Sequence, residues 1–366
     1  MNEDPIIQCV LIFSCAAIGV FVLGFPVRAA LVHWNIVDRP NERSSHSQST
    51  ARGGGVAILL VAGIAGMQAG LTPILVTLLA AAAVLAVVSF IDDLRSLPAS
   101  VRFGCHGLAA LAILAALGWP HLQLGLSAEG AVVLPASLGL ALAFLWISGY
   151  TNAFNFMDGI NGIAAGQTVV TGLGMALLGG LTLGNLESAP VVLSLAIAGA
   201  ALGFLPHNFP KVRMFMGDVG SAPLGFLLAG LVLWLAKAAG WWLLIPLGLL
   251  HANFVLDTGI TLVRRLLQGE RWYEAHREHF YQRFVRAGKT HTWVTLWEIG
   301  LQVIVLGLLF WYLHLGVAGR AVLAAAIIAI WSGFFLWAEI CFRRGRFGAN
   351  QKQASTVDLQ AASGPR

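Results

Sequence analysis

Eleven apolar stretches, most of them long enough to cross a lipid bilayer, dominate this chain. They cover residues 6–28, 53–71, 73–91, 103–118, 136–154, 163–183, 190–206, 219–237, 240–263, 293–315 and 320–342. Charged residues make up only 11% of the sequence, whereas soluble domains carry about 25%. A membrane-spanning helix needs about 20 apolar residues, so the sequence predicts an all-α, polytopic transmembrane bundle of about 11 spans.

The basic residues predict the orientation of this bundle. Of the 22 Lys and Arg residues, only Lys237 and Arg320 fall on one side of the predicted spans. Because Lys and Arg accumulate in cytoplasmic loops, we expect the N-terminus outside and the C-terminus in the cytoplasm. The same rule explains the net charge of +5 without a nucleic-acid partner.

Residues 1–346 are interpreted as a single integral-membrane domain. The segment 347–366 is poor in large apolar residues and is predicted to be a disordered cytoplasmic tail. On the outer side, the short apolar run 131–134 predicts a small strand. The four cysteines form no CxxC or Cys/His pattern that would indicate a disulfide framework or a zinc site.

Several Asp residues lie on the predicted cytoplasmic side, at or near the ends of spans. Asp92 and Asp93 end the third span. Negative charge is unfavourable at a helix C-terminus, so this pair favours a function, and Mg²⁺ is a natural partner for such hard oxygen ligands. The alternative is an ordinary helix end in contact with water.

Two further loops on this side carry polar residues at close spacing. Asn155, Asp158 and Asn161 recur every third residue among glycines and could recognise a base or ribose, although plain turn chemistry uses the same residues. Asp218 stands at the start of the eighth span, where it could bind a ligand or simply cap the helix.

The first predicted cytoplasmic loop contains candidate anion-binding groups. Arg43 and His46 can donate hydrogen bonds to a substrate phosphate. The glycine run 53–55 stands at a helix start, where its backbone N–H groups are expected to approach a phosphate. The alternative is a polar loop that only follows the charge bias of the membrane.

The long loop 264–291 contains His276, Arg277, His279 and Arg283, which could clamp a diphosphate. The two histidines could also be a partial zinc site. A basic amphipathic segment lying on anionic lipid is a further alternative.

Three motifs together resemble the polyprenyl-phosphate N-acetylhexosamine-1-phosphate transferase family, glycosyltransferase family 4. They are residues 90–93 (FIDD), 155–162 (NFMDGING) and 215–221 (FMGDVGS), in that order and between spans. The family includes the enzymes that initiate O-antigen and enterobacterial common antigen synthesis, and the phospho-MurNAc-pentapeptide translocase. The resemblance implies a helical enzyme of the bacterial inner membrane with a cytoplasmic active-site cleft.

The resemblance also implies roles for individual residues. Asp218 and Asp92 are expected to bind Mg²⁺, with Mn²⁺ as a substitute. Asp92 is the candidate base or nucleophile, with Asp93 beside it. Phe215 is expected to stack on uracil, the turn 155–161 to lie near the uridine through its Asn and Asp side chains, and the four residues of the 276–283 segment to contact the diphosphate.

The implied reaction transfers an N-acetylhexosamine-1-phosphate from a UDP-sugar to polyprenyl (undecaprenyl) phosphate and releases UMP. Its product is the first lipid-linked intermediate of a surface polysaccharide such as lipopolysaccharide O-antigen, or of cell wall biogenesis. The residue 276–283 pattern is more similar to the O-antigen enzymes than to the MurNAc-pentapeptide branch, which remains an alternative. A membrane transporter is a second alternative, although no repeat or midplane charge supports it. A CDP-alcohol phosphotransferase is less compatible, because no Ala-Arg follows Asp158-Gly159. A homodimer is also expected.

Overall fold

A computed structural model describes residues 4–38, 49–95, 97–270 and 276–362, with side chains through residue 345. Its helices are α1 (Pro5–His33), α2 (Gly55–Gly66), α3 (Pro73–Arg95), α4 (Ala99–Ala116), α5 (Ala136–Met157), α6 (Ile163–Leu183), α7 (Ala189–Asn208), α8 (Asp218–Ala239), α9 (Leu244–Leu250), α10 (Ala252–Leu267), α11 (Phe280–Arg286), α12 (His291–Tyr312) and α13 (Val317–Ala362). The strands are β1 (Val37–Asp38), β2 (Thr50–Arg52), β3 (Gln123–Leu124), β4 (Val132–Val133) and β5 (Met214–Phe215). The predicted all-α, polytopic architecture is confirmed.

Nine helices in the described part of the chain are long and apolar enough to cross a membrane: α1, α3 to α8, α12 and the first 29 residues of α13. Two of the predicted spans take other forms. Residues 240–263 fall in a pair of helical segments, Trp241–Leu250 and Ala252–Leu267, bent by 74° relative to each other. Residues 53–71 form the shorter helix α2 and a 3-10 turn at Met67–Ala69.

The shorter helix α2 still extends between the two ends of the bundle. At its start, the side chain of Arg52 contacts Asp218 at the beginning of α8. At its far end, Gln68 borders a cavity that is also lined by Gln8, near the start of α1, and Glu187, between α6 and α7.

Helix α8 lies at the centre of the bundle and is buried along its full spanning length. It packs against α2, α3, α5 and α6. Where α2 and α8 cross, a Cβ atom on Gly55 would collide with the Cα of Gly220, and the reverse also holds. Small residues allow this close approach between membrane helices, which brings the residues before α2 next to the start of α8.

Short strands organise the loops at both ends. The strands β1, β2 and β5 form one sheet, in which β2 is antiparallel to β1 and parallel to β5. At the opposite end β4 pairs with β3, which confirms the strand predicted at 131–134. The two basic residues of that end hold its loops, since Lys237 Nζ donates to the Leu117 carbonyl and Arg320 Nη1 to that of Leu126, each at 2.7 Å.

The last helix is longer than the sequence predicts. It continues to Ala362 and so includes most of the segment 347–366, for which composition predicts disorder. Ala and Gln are common in this stretch and have good helix propensity.

Candidate active site

Arg52 joins two carboxyl groups that come from distant parts of the chain. Its Nη2 atom lies 2.8 Å from Oδ1 of Asp93 and 3.0 Å from Oδ1 of Asp218. Asp93 stands in the last turn of α3, and Asp218 is the first residue of α8. Burial opposes the charge on Arg52, but the carboxylates of Asp218 and Asp93 outweigh it, so the pKa of Arg52 is raised.

Asp93 also caps helix α8 from another helix. Its Oδ1 accepts the N–H of Asp218 at 3.4 Å, and its Oδ2 accepts the N–H of Val219 at 3.2 Å. Gly217, which has a φ of 75°, precedes the helix without a side-chain cap. Asp93 therefore satisfies N–H groups that a helix start leaves without partners. The alternative that Asp218 merely caps its own helix is wrong, because the N-cap residue is Gly217. The Asp218 side chain is 25% exposed.

Asp92 makes different contacts from its neighbour. One carboxylate oxygen accepts the N–H of Leu97, and the other lies 3.3 Å from Nη1 of Arg102 on α4. Arg102 partly offsets the unfavourable position of this carboxylate at a helix C-terminus. Asp92 is thus held by the loop after its own helix and by α4, apart from the Arg52 contacts.

A small cleft brings Asp92 and Asp218 to a common surface. Its lining includes Asp92, Arg102, His106, Asn155, Phe156 and Asp218. These residues come from α3, α4, α5 and α8. The sequence motifs that contain Asp92, Asn155 and Asp218 therefore meet at one place, as predicted.

Asn155 and Asp158 have distinct environments in this part of the bundle. Asn155 donates from Nδ2 to Oγ of Ser221 on α8 at 2.8 Å and lines the cleft. Burial of the Asp158 carboxyl group, followed by the negative charge of Asp218, raises the pKa of Asp158 well above its usual value. Asp218 therefore couples Asp158 electrostatically to the Arg52 cluster, the group formed by Arg52, Asp93 and Asp218.

Asn161 ties together three segments. Its Nδ2 donates to the carbonyl of Pro210 at 3.1 Å, and its Oδ1 lies 3.2 Å from Nδ1 of His291 at the start of α12. Its backbone carbonyl accepts a hydrogen bond from Thr295 Oγ1 at 2.8 Å. The amide is therefore engaged within the protein, and a contact of Asn161 with uridine stays a prediction.

The glycine run before α2 does not offer its N–H groups to a phosphate. The N–H groups of Gly53 and Gly54 donate to the carbonyl of Phe215, and that of Gly55 donates to the carbonyl of Met216. The prediction that these N–H groups approach a phosphate is wrong, because β5 lies alongside and uses them. The glycines instead permit the close crossing of α2 and α8.

Phe215 lies in β5, in register with Arg52 of β2. Its side chain is half-buried. The strand pairing places this aromatic residue next to the Arg52 cluster, and stacking of Phe215 on uracil stays a prediction.

His276 and His279 form an aromatic group with Phe156. The two imidazole centroids are 4.8 Å apart, and the Phe156 ring lies 6.4 Å from the first and 6.1 Å from the second. Burial, and then the neighbouring His279 and Arg265, lower the pKa of His276 to about 4. Its buried Nδ1 has no hydrogen-bond partner within the described residues. A neutral imidazole next to the cleft residue Phe156 is therefore able to bond a ligand.

The two arginines of this segment differ in their contacts. Arg277 has a buried Nη2 that finds no hydrogen-bond partner in the described part of the chain. Arg283 is buried, ion-pairs with Glu339 of α13, and donates from Nε to the carbonyl of Glu278 at 3.0 Å. Arg283 thus holds α11 against α13. Contacts of either arginine with a diphosphate stay predictions.

The remaining predicted residues, Arg43 and His46, lie outside the described residues. The structure adds Arg52, His106 and Asp257, to which the sequence motifs gave no role. Arg52 stands directly before the glycine run, and Asp257 is a carboxylate within an apolar stretch, which is a recognisable signal. A lone histidine in an apolar helix gives no comparable signal for His106.

The oxygen ligands at the cleft fit a magnesium ion. Within the described residues, no three His, Cys, Asp or Glu side chains group closely enough to hold a metal by themselves. Mg²⁺ commonly uses only one or two carboxylates and completes its shell with water and substrate phosphates. Asp218, Asp92 and the amide of Asn155 border the same cleft and supply ligands of this type.

Comparisons with known proteins show the family of this chain. The family described as glycosyl transferase family 4 matches residues 75–236, a range that contains all three motifs but neither Arg52 nor the segment 276–283. A decaprenyl-phosphate N-acetylglucosaminephosphotransferase of Mycobacterium tuberculosis is 32% identical over 326 residues, which cover 80% of this chain and 79% of the relative. The chain belongs to glycosyl transferase family 4.

Other relatives of this family member differ in how much of the chain they match. A probable undecaprenyl-phosphate N-acetylglucosaminyl 1-phosphate transferase of Bacillus subtilis is 28% identical over 80% of this chain and 81% of the relative. A phospho-N-acetylmuramoyl-pentapeptide-transferase of a Synechococcus species is 32% identical over 62% of this chain and 69% of the relative. The similarity to the N-acetylglucosamine enzymes extends further along the chain.

Proposed function

We propose that this family member transfers N-acetylglucosamine-1-phosphate from a UDP-sugar to a polyprenyl phosphate and releases UMP. One observation carries the proposal: Asp92, Asn155 and Asp218, from three separate motifs, line one cleft. The N-acetylglucosamine enzymes that match 80% of the chain support the choice of sugar. The weaker coverage of the pentapeptide transferases makes their substrate the less favoured alternative.

The segment 276–283 offers candidate partners for the nucleotide-sugar diphosphate. His276 offers a neutral imidazole and Arg277 a guanidinium, each with a buried nitrogen that lacks a partner within the described residues. Phe215 offers an aromatic face for uracil next to Arg52. A diphosphate held between these groups is fixed in position relative to Asp218, and such positioning is the main contribution of proteins to phosphoryl transfer.

The acceptor is a lipid phosphate that reaches the cleft from the bilayer. One of its oxygens bonds to the sugar-linked phosphorus, while the bond from that phosphorus to the bridging oxygen breaks and UMP leaves. The second pKa of a phosphate monoester is about 6, so the acceptor is largely ionised near neutral pH without a strong base. Asp92, which contacts Arg102 and Leu97, is the candidate to receive a residual proton or to act as a nucleophile in a two-step route.

A bound Mg²⁺, or Mn²⁺ in its place, would neutralise the diphosphate and make UMP a better leaving group. Asp218 and Asp92 are the carboxylates that would hold it. Arg52 also contacts Asp218. Its positive charge offsets the negative carboxylates, so that two anionic substrates can approach the site.

We infer that the cleft opens to the cytoplasm at the inner membrane of a bacterium. Arg52, Asp93 and Asp218 lie in or beside loops of the side on which the sequence predicts nearly all the basic residues. Cytoplasmic loops favour such residues, and UDP-sugars are made in the cytosol.

The test uses purified protein with Mg²⁺, UDP-N-acetylglucosamine and undecaprenyl phosphate. UMP should form only when all three are present, and chelation by EDTA should stop it. UDP-MurNAc-pentapeptide and UDP-glucose serve as comparison donors. UMP release in the absence of the lipid contradicts the proposal. So does UMP release from UDP-MurNAc-pentapeptide but not from UDP-N-acetylglucosamine.

Two variants connect this activity to the cleft. Asp92→Asn and Asp218→Asn should each lower kcat by more than about 100-fold, in the range found when a group that stabilises transition-state charge is removed. Asp4→Asn is the matched control, because it makes the same chemical change at the N-cap of α1, where Asn caps equally well. Near-normal turnover in either cleft variant removes that residue from the catalytic set.

A further inference from the structure

Asp257 is a completely buried carboxylate on α10 on which four hydrogen-bond donors converge. Its Oδ1 lies 2.9 Å from Nδ1 of His279 and accepts the N–H of Phe280 at 3.1 Å. Its Oδ2 accepts the N–H of Tyr281 at 3.3 Å. The hydroxyl of Thr261, one turn along α10, donates to Oδ1 at 3.4 Å.

These bonds determine which edge of the His279 ring is available. Both Asp257 oxygens accept backbone N–H groups, so the carboxyl group acts as the acceptor and Nδ1 of His279 as the donor. Nε2 then stands on the opposite edge of the ring. The ring lies between Tyr281, stacked at 5.9 Å, and His276 at 4.8 Å, which limits its rotation. A carboxylate behind a histidine fixes the tautomer and orientation of the imidazole in many functional sites.

The same carboxylate fixes the start of α11. It accepts the N–H groups of Phe280 and Tyr281, which would otherwise lack partners in a helix of only seven residues. Tyr281 in turn donates from its hydroxyl to the carbonyl of Phe156 at 3.0 Å. A Cβ atom on Gly159 would collide with this hydroxyl, so the glycine permits the contact. Asp257 thereby holds the histidine segment against the turn that carries Asp158.

A neighbouring buried carboxylate provides a natural comparison. Glu298 on α12 is equally buried and lies 3.4 Å from Nδ2 of Asn253, but no bond joins it to α11 within the described residues. If Asp257 mattered only because a buried carboxylate supports the fold, Glu298 would matter in the same way. Of these two carboxylates, only Asp257 bonds to His279 within the described residues.

We infer that Asp257 is a positioning residue that acts through His279 to place the 276–281 segment at the diphosphate of the nucleotide sugar. This inference rests on the proposed function, in which that segment binds the diphosphate. It assigns Asp257 no contact with the substrate, and its effect should appear in substrate binding more than in turnover.

The test is a double-mutant cycle in the full-length protein, with Asp257→Asn, His279→Asn and the pair. Asp257→Asn should raise KM for UDP-N-acetylglucosamine by about tenfold or more, the equivalent of one lost charge-assisted hydrogen bond, while kcat changes by less than about threefold. The effects of the pair should be less than additive, because both single changes remove the bond between Asp257 and His279. Glu298→Gln, the matched control, should leave KM within about twofold of the wild type.

Three results overturn the inference: additive effects in the double variant, an unchanged KM in Asp257→Asn, or an equal increase of KM in Glu298→Gln. Asp257→Ser, whose shorter side chain does not reach His279, is the second variant and should raise KM similarly. If neither Asp257 variant folds, as judged by size-exclusion chromatography, the residue serves the fold alone and the assignment fails.

Failure of the proposed function is distinguishable from failure of this inference. If the wild type releases no UMP with any donor, the proposed reaction is wrong. Calorimetric binding of UDP to the wild type and to Asp257→Asn still tests the positioning role, which predicts an approximately tenfold weaker affinity in the variant. Equal UDP affinities contradict it.

Discussion

At the scale of single residues, Arg52 balances the charge of the site. One guanidinium contacts the carboxyl groups of Asp93 and Asp218, and Asp218 also influences the buried Asp158. Carboxylates this close repel each other unless a cation lies between them. Arg52 therefore supports the geometry that the chemistry requires, even though no catalytic motif contains it.

Replacing Arg52 with Gln should destabilise the protein in metal-free buffer by about 1–2 kcal/mol, because two buried or partly buried carboxylates lose their shared partner. Thermal unfolding in detergent with EDTA measures this change. Arg95→Gln, an exposed arginine at the end of α3, is the control and should shift stability by less than about 0.5 kcal/mol. Equal shifts in the two variants contradict the role of Arg52.

His276 should give a recognisable pH dependence of stability. Its folded-state pKa of about 4 lies below the usual 6.5, so folding favours the neutral ring. The stabilisation is complete above the unfolded value of about 6.5 and is lost as the pH falls toward 4. Compared with His276→Asn, the wild type should therefore lose melting temperature between pH 6.5 and 4.5. A constant difference between the two proteins across this range contradicts the lowered pKa.

At the scale of elements, the crossing of α2 and α8 positions Arg52 next to Asp218. Gly55 and Gly220 face each other there with no room for a side chain. The motif order and the apolar runs predicted that these segments meet on one face. They could not predict the cross-helix cap formed by Asp93, or the use of the glycine N–H groups by β5, because both depend on tertiary contacts between residues more than 120 positions apart.

Gly55→Ala should destabilise the protein by about 1–3 kcal/mol, the usual cost of overpacking, and should lower activity by displacing Arg52. Gly63→Ala in the same helix is the matched control, since its added Cβ would meet only Leu79 at 3.9 Å. It should be neutral or slightly stabilising, because Ala has the higher helix propensity. Thermal unfolding and UMP release measure both effects. A Gly55→Ala protein as stable and active as the control contradicts the close crossing.

At the scale of the whole molecule, length and hydrophobicity predicted nearly all spans, because a bilayer demands long apolar helices. Two predicted spans are exceptions: α2 is shorter than a span, and the α9–α10 pair is bent. Both lie beside the site. Asp257 is on the bent pair, and its link to His279 joins residues 22 positions apart across a loop. Such contacts leave no periodic signal in a sequence.

The orientation of the bundle can be tested with single cysteines in a variant that lacks the four native ones. Ala128→Cys, between β3 and β4, should react with a membrane-impermeant maleimide in intact cells. Lys289→Cys, just before α12, should react only after permeabilisation, because the basic loops are predicted to face the cytoplasm. Both positions are exposed. The reverse pattern of labelling contradicts the predicted orientation.

The most direct test of the central claim follows the phosphorus atoms of the donor. UDP-N-acetylglucosamine is labelled with ³²P either at the sugar-linked phosphorus or at the uridine-linked phosphorus, and is incubated with the protein, Mg²⁺ and undecaprenyl phosphate. Transfer of the sugar-1-phosphate predicts that the sugar-linked label enters the lipid fraction and that the uridine-linked label appears in UMP. Recovery of both labels in UDP, with an unlabelled lipid product, would show transfer of the sugar alone and contradict the account.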